Sequence, residues 1–252
     1  MASNVPAATR TLLVLRYLAG QPGPVPMERI ATAVGLPRSS TYHLLTAMID
    51  EGFVVHLDED KRYGLGVAAF EIGTAYLRHD PLERLARPLL VQLVAATGQT
   101  AHLGVLHGRE LLYLLKEQPP RPVTIVTDVG VRLPATLTAS GRALLALLPA
   151  AQIRALFPTA DTFVDRTGRG PQTLTQLRRV LADERRQGYA VEDAYITEGF
   201  ASVATAAVDH TGHPVAAFGI TFRRDAVPPQ AWPELAHRTS AAAEALTRRL
   251  RG

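Results

Sequence analysis

Three residues, Gly35-Leu36-Pro37, separate two short stretches of helical periodicity, and this spacing constrains the N-terminal part of the chain more than any other feature. The first helix of the pair is expected to start after Pro26, a proline of the kind a first turn accepts. It runs through Met27, Ile30, Ala31 and Val34 to Gly35. The second is expected from about Arg38 to Asp50. A turn this short holds the two helices at a steep angle, the helix-turn-helix spacing. An earlier helix, from about Thr9 to Ala19 with Leu12, Leu15 and Leu18 on one side, stops at Gly20-Gln21-Pro22-Gly23-Pro24.

The helix after the turn is two-faced. At ~100° per residue, Thr41, Leu44, Leu45 and Met48 share one side, while Ser39, Tyr42, His43 and Thr46 fall largely on the other. Arg38 and Ser40 lie near its start. Small hydrogen-bonding groups of this kind can reach base edges and phosphates in a major groove. The plain alternative is a solvated helix face. The neighbouring segments favour contact with DNA: Gly52-Phe53-Val54-Val55-His56-Leu57 and Lys61-Arg62-Tyr63-Gly64-Leu65 flank a charged turn, Asp58-Glu59-Asp60, as in a β-wing. Lys61 and Arg62 stand where a wing touches the phosphate backbone, although a solvated hairpin tip reads the same way.

Charge decides less than it promises. The net charge is +4, with 27 basic and 23 acidic residues and only two lysines, Lys61 and Lys116. Residues 1–66 balance Arg10, Arg16, Arg29, Arg38, Lys61 and Arg62 against Glu28, Asp50, Glu51, Asp58, Glu59 and Asp60, so the surplus lies further on. A basic chain invites a nucleic-acid partner without establishing one. The absence of cysteine excludes disulfides, thiolate metal sites and cysteine nucleophiles. The longest apolar run, Ala143 to Ala151, is broken by Pro149 and falls far short of the ~20 residues that span a bilayer. A soluble, cytoplasmic protein without membrane contact is expected.

Beyond the wing, a helix over Val67 to Leu77 leads to a linker stop at His79-Asp80-Pro81. The remainder alternates helices and strands as one α/β unit. Leu82, Leu85, Leu89 and Leu93 line a helix, and Thr100 to Leu106 pairs with Glu110 to Lys116 across His107-Gly108-Arg109. Further elements are expected as a strand at Thr124 to Thr127 and helices at Ala139 to Leu148 and Leu174 to Arg186. Strands at Ser202 to Val208 and Val215 to Phe222 precede a closing helix striped by Leu235, Thr239, Ala242, Leu246 and Leu250.

In that order the segments resemble the IclR family of transcriptional regulators over nearly the whole chain. The resemblance is carried by Ile30-Ala31, Gly35-Leu36-Pro37-Arg38-Ser39, Leu44-Leu45, Gly52-Phe53 and Tyr63-Gly64-Leu65-Gly66. It continues in Val129-Gly130-Val131-Arg132-Leu133-Pro134, Thr138-Ala139-Ser140-Gly141-Arg142-Ala143-Leu144-Leu145-Ala146, Gln187-Gly188-Tyr189-Ala190, Glu198-Gly199 and the strand pair ending at Arg223. The resemblance implies an α+β chain: a winged helix-turn-helix DNA-binding domain (1–66), a linker helix that pairs two subunits (67–81), and a GAF-like α/β effector-binding domain (82–252). It implies a homodimer or dimer of dimers on palindromic operator DNA, as repressor or activator. Two copies of the second helix would then lie about one helical turn apart, ~34 Å. The implied effector is a small organic or aromatic acid, with no cofactor.

Carried over by position, the effector lining is Ala139, Ser140, Glu192, Asp193, Ser202, Gly219 and Thr221. Amides at the helix start by Ala139 and Ser140 also suit a carboxylate on physical grounds. Small residues at these points are equally what tight helix-on-sheet packing requires. The chain departs from the family at His43, where Arg is frequent, at Ser202, where Cys is frequent, and at Ala206, where Pro is frequent. Ala194-Tyr195 replaces a common acidic pair, so Tyr195 is expected to narrow the pocket or favour an aromatic ligand. The lone Trp232 is expected to pack rather than to stack on ligand.

Two rival readings belong to other classes. An enzyme would draw on His102, His107, His210 or His213, yet His210 and His213 lack a third ligand at metal spacing. No nucleophile elbow, phosphate-cradling loop or dinucleotide fingerprint is present. Glu192 and Asp193 are adjacent, so their side chains diverge; no catalytic or metal residue is expected. The other rival is a ligand-sensing or protein-interaction module with weak or no specific DNA binding, supported by the neutral first 66 residues.

Overall fold

The computed structural model describes residues 5–79 and 81–251; Asp80, within the expected linker stop, lies outside them. The chain divides into two units, residues 1–80 and 81–252. The first holds α1 (Pro6–Ala19), β1 (Val25–Pro26), α2 (Met27–Val34), α3 (Arg38–Asp50), β2 (Val54–Leu57), β3 (Arg62–Leu65) and α4 (Val67–His79). Gly35 ends α2 in the left-handed region at φ 65°. Its N–H donates to Thr32 O and that of Leu36 to Ala31 O, the paired arrangement that glycine permits without Cβ strain. Val14, Leu18, Ile30, Leu45, Met48, Val54 and Tyr63 form one core.

The expected stripe on α1 is corrected. Leu18 is buried and Leu15 packs half-buried beside it, as expected, but Leu12 is exposed and Val14 is buried in its place. Steps of three residues drift backward around a helix, so Leu12 lies about 120° from Leu18, whereas Val14 stands four residues away on nearly the same line. A second difference is β1, at two residues to which the sequence assigns no element. Val25 pairs with Tyr63 and Pro26 with Arg62, giving a sheet ordered β1-β3-β2. Prolines are tolerated there because β1 is an edge.

The second unit comprises α5 (Pro81–Thr97), β4 (Thr100–His107), β5 (Glu110–Glu117), β6 (Arg132–Pro134), α6 (Ala139–Leu145), α7 (Ala150–Leu156), α8 (Leu174–Gln187), β7 (Ala190–Asp193), β8 (Phe200–Val208), β9 (Pro214–Arg223) and α9 (Trp232–Arg251). Six antiparallel strands run in the order β6-β5-β4-β9-β8-β7. Leu89, Leu90 and Leu93 of α5 and Leu246 of α9 pack on Phe218, Phe222 and Leu103. Ala139, Ala143 and Leu144 of α6 share a separate cluster with Leu111, Ala204 and Ala217. Trp232 packs on Phe222 and donates to Val227 O at 3.1 Å.

Thr124 to Thr127 is irregular rather than a strand, following Pro119, Pro120 and Pro122, which remove ladder donors. The strand beside β5 is β6, only three residues long. Helix α6 stops at Leu145, three residues early, with Pro149 just beyond. The fold class is α+β, a winged helix-turn-helix followed by a sheet-based domain.

Candidate functional site

On α3 the two faces separate as their spacing requires. Thr41, Leu45 and Met48 are buried, while Ser39, Ser40, Tyr42, His43 and Thr46 are exposed. Arg38 is exposed and pairs with Glu28 of α2 at 3.0 Å. The rings of Tyr42 and His43 meet edge to face with centroids 5.8 Å apart, and the Thr46 hydroxyl donates to Tyr42 O at 3.0 Å. In the wing, Lys61 occupies the left-handed region at φ 52°, which projects the turn between β2 and β3. Arg62 is less free than its sequence position suggests: Nη1 donates to Pro24 O at 3.2 Å, tying β3 to the segment before β1.

The second unit contains a narrow cavity lined by Ala139, Ser140, Glu192, Ser202, Gly219 and Thr221, together with His102, Tyr113, Ile125, Val126, Thr127, Thr138, Ile196, Thr197 and Phe200. Its free volume is about 30 Å³, room for one or two waters. Sheet register assembles its floor. Glu192 lies opposite Ser202 and Ser202 opposite Thr221, while Gly219 lies opposite His102, so these side chains share a face across four strands. Asp193 does not line the cavity. One residue on from Glu192 it faces the other way, and it pairs with Arg224 at 2.6 Å.

Glu192 is buried, and its carboxylate is held by three donors. Oε1 accepts from the Tyr195 and Ile196 amides at 2.6 and 3.2 Å, and Oε2 accepts from the Ser202 hydroxyl at 3.1 Å. Burial raises its pKa, and those hydrogen bonds and the Arg142 charge pull the other way. Because the one Ser202 proton goes to Glu192, the 3.0 Å contact between Ser202 and Thr221 is donated by Thr221. His102 is buried and pairs with the Thr127 hydroxyl at 2.8 Å. Burial, with Lys116 nearby, lowers its pKa to about 3, so its ring is neutral. Burial also raises the pKa of the Tyr113 phenol.

Gly219 has a second duty. A Cβ there would come within 2.5 Å of Ser140 Oγ, so the start of α6 rests directly on β9. Tight packing and cavity lining coincide at this position. Tyr195, expected to narrow the pocket, is not among its lining residues; its ring covers the Arg142 guanidinium, 4.9 Å from the centroid. Sequence reading missed His102, Tyr113, Ile125, Val126, Thr127, Thr138, Ile196, Thr197 and Phe200 as lining. Strand position brings in His102, Tyr113 and Phe200, the path of residues 125–127 past the sheet brings in the next three, and Thr138, Ile196 and Thr197 come from the N-cap of α6 and the turn between β7 and β8.

Beneath the cavity, Arg142 is fully buried. Its Nε donates to Glu184 Oε1 at 2.9 Å, Nη1 to Thr136 O at 3.0 Å, and Nη2 to Val191 O. Among the described residues no helix is long and apolar enough to cross a membrane.

Comparison with known proteins agrees with this geometry. Residues 7–58 match the IclR helix-turn-helix domain, and residues 74–248 match the C-terminal domain of bacterial IclR transcriptional regulators. The chain is similar to the glycerol operon regulatory protein of Streptomyces coelicolor, 34% identical, covering 88% of this chain and 86% of that protein. It is similar to the transcriptional repressor IclR of Escherichia coli, 28% identical over 86% of this chain and 80% of the relative. Among solved structures, the Thermotoga maritima IclR matches at a TM-score of 0.74 with 26% identity, covering 96% and 98% of the two chains. The chain belongs to the IclR family of bacterial transcriptional regulators, DNA-binding proteins with an effector domain and not enzymes.

Proposed function

We propose that the chain is a ligand-responsive regulator of a catabolic or metabolic operon, reading operator DNA with α3 and sensing its effector in the cavity between α6 and the sheet. The observation that carries this reading is the division of α3: Thr41, Leu45 and Met48 hold it to the core while Arg38, Ser39, Ser40, Tyr42, His43 and Thr46 stay accessible. That division leaves one continuous face of hydrogen-bonding groups on a winged-helix second helix. Lys61 and Arg62 contact phosphate in this scheme, with Lys61 the freer of the two. The protein acts in the cytoplasm, where such DNA lies.

The regulator works as a homodimer or a dimer of dimers. Leu12 and Leu13 of α1 and Val67, Phe70 and Ile72 of α4 are exposed apolar side chains on the DNA-binding unit, more than an isolated surface helix ordinarily shows. Effector acts by binding one dimer arrangement better than another, since a ligand that binds both equally shifts nothing.

A small organic or aromatic acid remains the effector class implied by family resemblance. The first amides of α6, at Ala139 and Ser140, support it. The similar protein from Streptomyces coelicolor regulates a glycerol operon by its name, which supports a carbon-source catabolic role here. Fluorescence anisotropy of the purified protein on its own upstream DNA, against scrambled DNA at one stated salt concentration, tests the reading. Preference for the native sequence, changed by a small catabolite, is expected; equal affinity for both DNAs on every candidate promoter overturns it in favour of a sensor module without specific DNA binding.

A further inference from the structure

The second unit carries a cleft that shares no lining residue with the cavity between α6 and the sheet. It opens where the turn from β4 to β5 meets the segment after α7, and its free volume is about 350 Å³, the size of site that takes a small organic molecule. Two anchors fix its walls. Arg109 O accepts from the Ala135 amide at 2.9 Å, which holds the β4–β5 turn to the chain leaving β6. The rings of Phe157 and Phe163 meet with centroids 5.3 Å apart, which holds the segment after α7 to its core.

The charges in this cleft are balanced but not joined. Arg109 and Asp161 both line it, Asp161 from the short turn Ala160–Thr162. The Asp161 pKa is lowered, first by hydrogen bonds from Thr159 and its own amide and further by the charge of Arg109, so the two groups feel each other. Yet neither joins an ion pair among the described residues, whereas Glu110, beside Arg109, faces Arg132 Nη1 at 3.7 Å. His107, the remaining ionisable side chain of the lining, is an exposed imidazole able to accept or to donate. Thr136 also lines the cleft. It is almost fully buried; its carbonyl accepts from Arg142 at 3.0 Å, and its hydroxyl has no hydrogen-bond partner in the protein. Leaving a buried hydroxyl unmet is costly, so a polar ligand atom that meets it is stabilised.

We infer that this cleft is a second ligand site, for a zwitterionic α-amino acid with an apolar side chain. A lone carboxylate entering here meets Asp161 as well as Arg109, and a lone amine meets Arg109 as well as Asp161. Only a molecule with both charges on one carbon is favoured by both groups. Its carboxylate pairs with Arg109 and its ammonium with Asp161, Thr136 serves the polar end, and Pro134, Phe157 and Val164 meet the side chain. Val164, otherwise an exposed apolar residue, is covered in the process. Thr136 lies two residues before Thr138, which caps α6, so an occupant of the cleft bears on the helix that lines the cavity. The inference does not rest on that cavity being the effector site.

The test is calorimetric titration of the full chain at neutral pH, to ~10 mM, with L-leucine and L-phenylalanine and with 4-methylpentanoate and 3-methylbutylamine, which keep the leucine skeleton and one charge each. Binding of at least one amino acid is expected, weakened ~5-fold or more by Arg109→Gln and by Asp161→Asn alike. Both positions are exposed, so the fold survives these changes. A plain anion behaves differently, since Asp161→Asn removes a repulsion and strengthens it. Binding of neither amino acid overturns the inference, as does amino-acid binding that Asp161→Asn strengthens or that neither variant weakens. Gly219→Ala, which drives a methyl into Ser140 Oγ, disturbs the cavity and is expected to leave amino-acid binding in place. A loss there with none in Arg109→Gln puts the amino acid in the cavity and overturns the inference as well. Where Gly219→Ala does not fold, the Arg109 and Asp161 variants decide alone. Preference for upstream DNA, measured on the same preparation, reports separately on the regulator reading.

Discussion

Arg142 and Glu184 form an ion pair with essentially no solvent contact, Nε to Oε1 at 2.9 Å, between α6 and α8. The guanidinium also donates to Thr136 O and Val191 O and lies over the Tyr195 ring. Burial raises the Glu184 pKa, and the Arg142 charge and hydrogen bond hold it down. Taking two charges out of water costs much of what their attraction returns. The pair therefore acts as a fastener: it fixes α6, whose first turn lines the cavity, to β7 through Val191 O.

Removing one partner strands the other. Glu184→Leu and Arg142→Met are each expected to lower stability by ~3–5 kcal/mol, and the double variant carrying both to recover most of it. Urea unfolding of the four proteins checks this. Strictly additive losses would show that the two side chains do not act as a pair.

His102 makes stability depend on pH with a definite sign. Its pKa falls from an ordinary value near 6.5 to about 3 in the folded chain, so the unfolded chain takes up a proton first. Stability contributed by the neutral ring is complete above ~6.5 and is lost as pH falls toward 3, by at most ~1.4 kcal/mol per pH unit. Glu184 and Glu192, raised by burial, act in the opposite sense. The comparison that isolates the histidine is wild type against His102→Asn across pH 7.5 to 5. A shallower acid loss in the variant is expected; parallel curves would exclude His102 as the source.

How much of this could be read in the chain depends on whether the signal was local. Helices α2 and α3 were legible because Pro26, Gly35 and the apolar spacing mark ends and faces within a few residues. The β4–β5 hairpin was legible for the same reason. Strands β1 and β6 were not: two or three residues carry no periodicity, and partners across the sheet decide them. Ala139, Ser140, Glu192, Ser202, Gly219 and Thr221 were placed by family pattern, whereas His102 and Tyr113 join them only through register. Asp193 shows the limit of adjacency, since a neighbour on a strand faces the other side.

Gly66 closes the wing against the end of α3. A Cβ there would meet Gly52 O at 2.2 Å and the Phe53 carbonyl carbon at 3.0 Å, backbone atoms that cannot rotate aside. The Gly66 N–H also donates to Phe53 O at 2.8 Å. Gly66→Ala is expected to destabilise the winged helix by ~1–3 kcal/mol while leaving the cavity of the second unit intact. Limited proteolysis followed by mass spectrometry should show faster cleavage within residues 5–79 and unchanged protection of residues 100–223. Unchanged cleavage throughout would mean that the wing root yields more easily than its backbone contacts imply.

Pairing of subunits through the DNA-binding unit can be tested on its exposed apolar side chains. Leu12→Glu with Ile72→Glu places charge on α1 and α4 without touching a buried residue, both positions being exposed. Sedimentation velocity is expected to show a smaller species than wild type, with operator affinity reduced ~10²-fold or more as two-site engagement is lost. A double variant of unchanged size would move the interface elsewhere.

Helix α3 and the wing divide the work of DNA contact. His43 and Ser39 present hydrogen-bonding groups from the exposed face, so His43→Ala is expected to cost ~1–3 kcal/mol on the native operator and far less on scrambled DNA. Arg38→Ala must also break its pair with Glu28. That pair is exposed and therefore weak, so the loss on operator reports DNA contact rather than protein stability. Lys61, at the tip of the wing with no sequence information to read, should act differently. Lys61→Ala is expected to weaken both DNAs alike and to lower the salt-dependence slope by about one. Arg62→Ala falls between the two, because its guanidinium also ties β3 to Pro24 O at 3.2 Å; part of its loss should appear in thermal stability without DNA. Anisotropy titrations at several salt concentrations separate these contributions. If His43→Ala and Arg38→Ala bind operator as wild type does, α3 is not the reading helix, whatever the wing contributes.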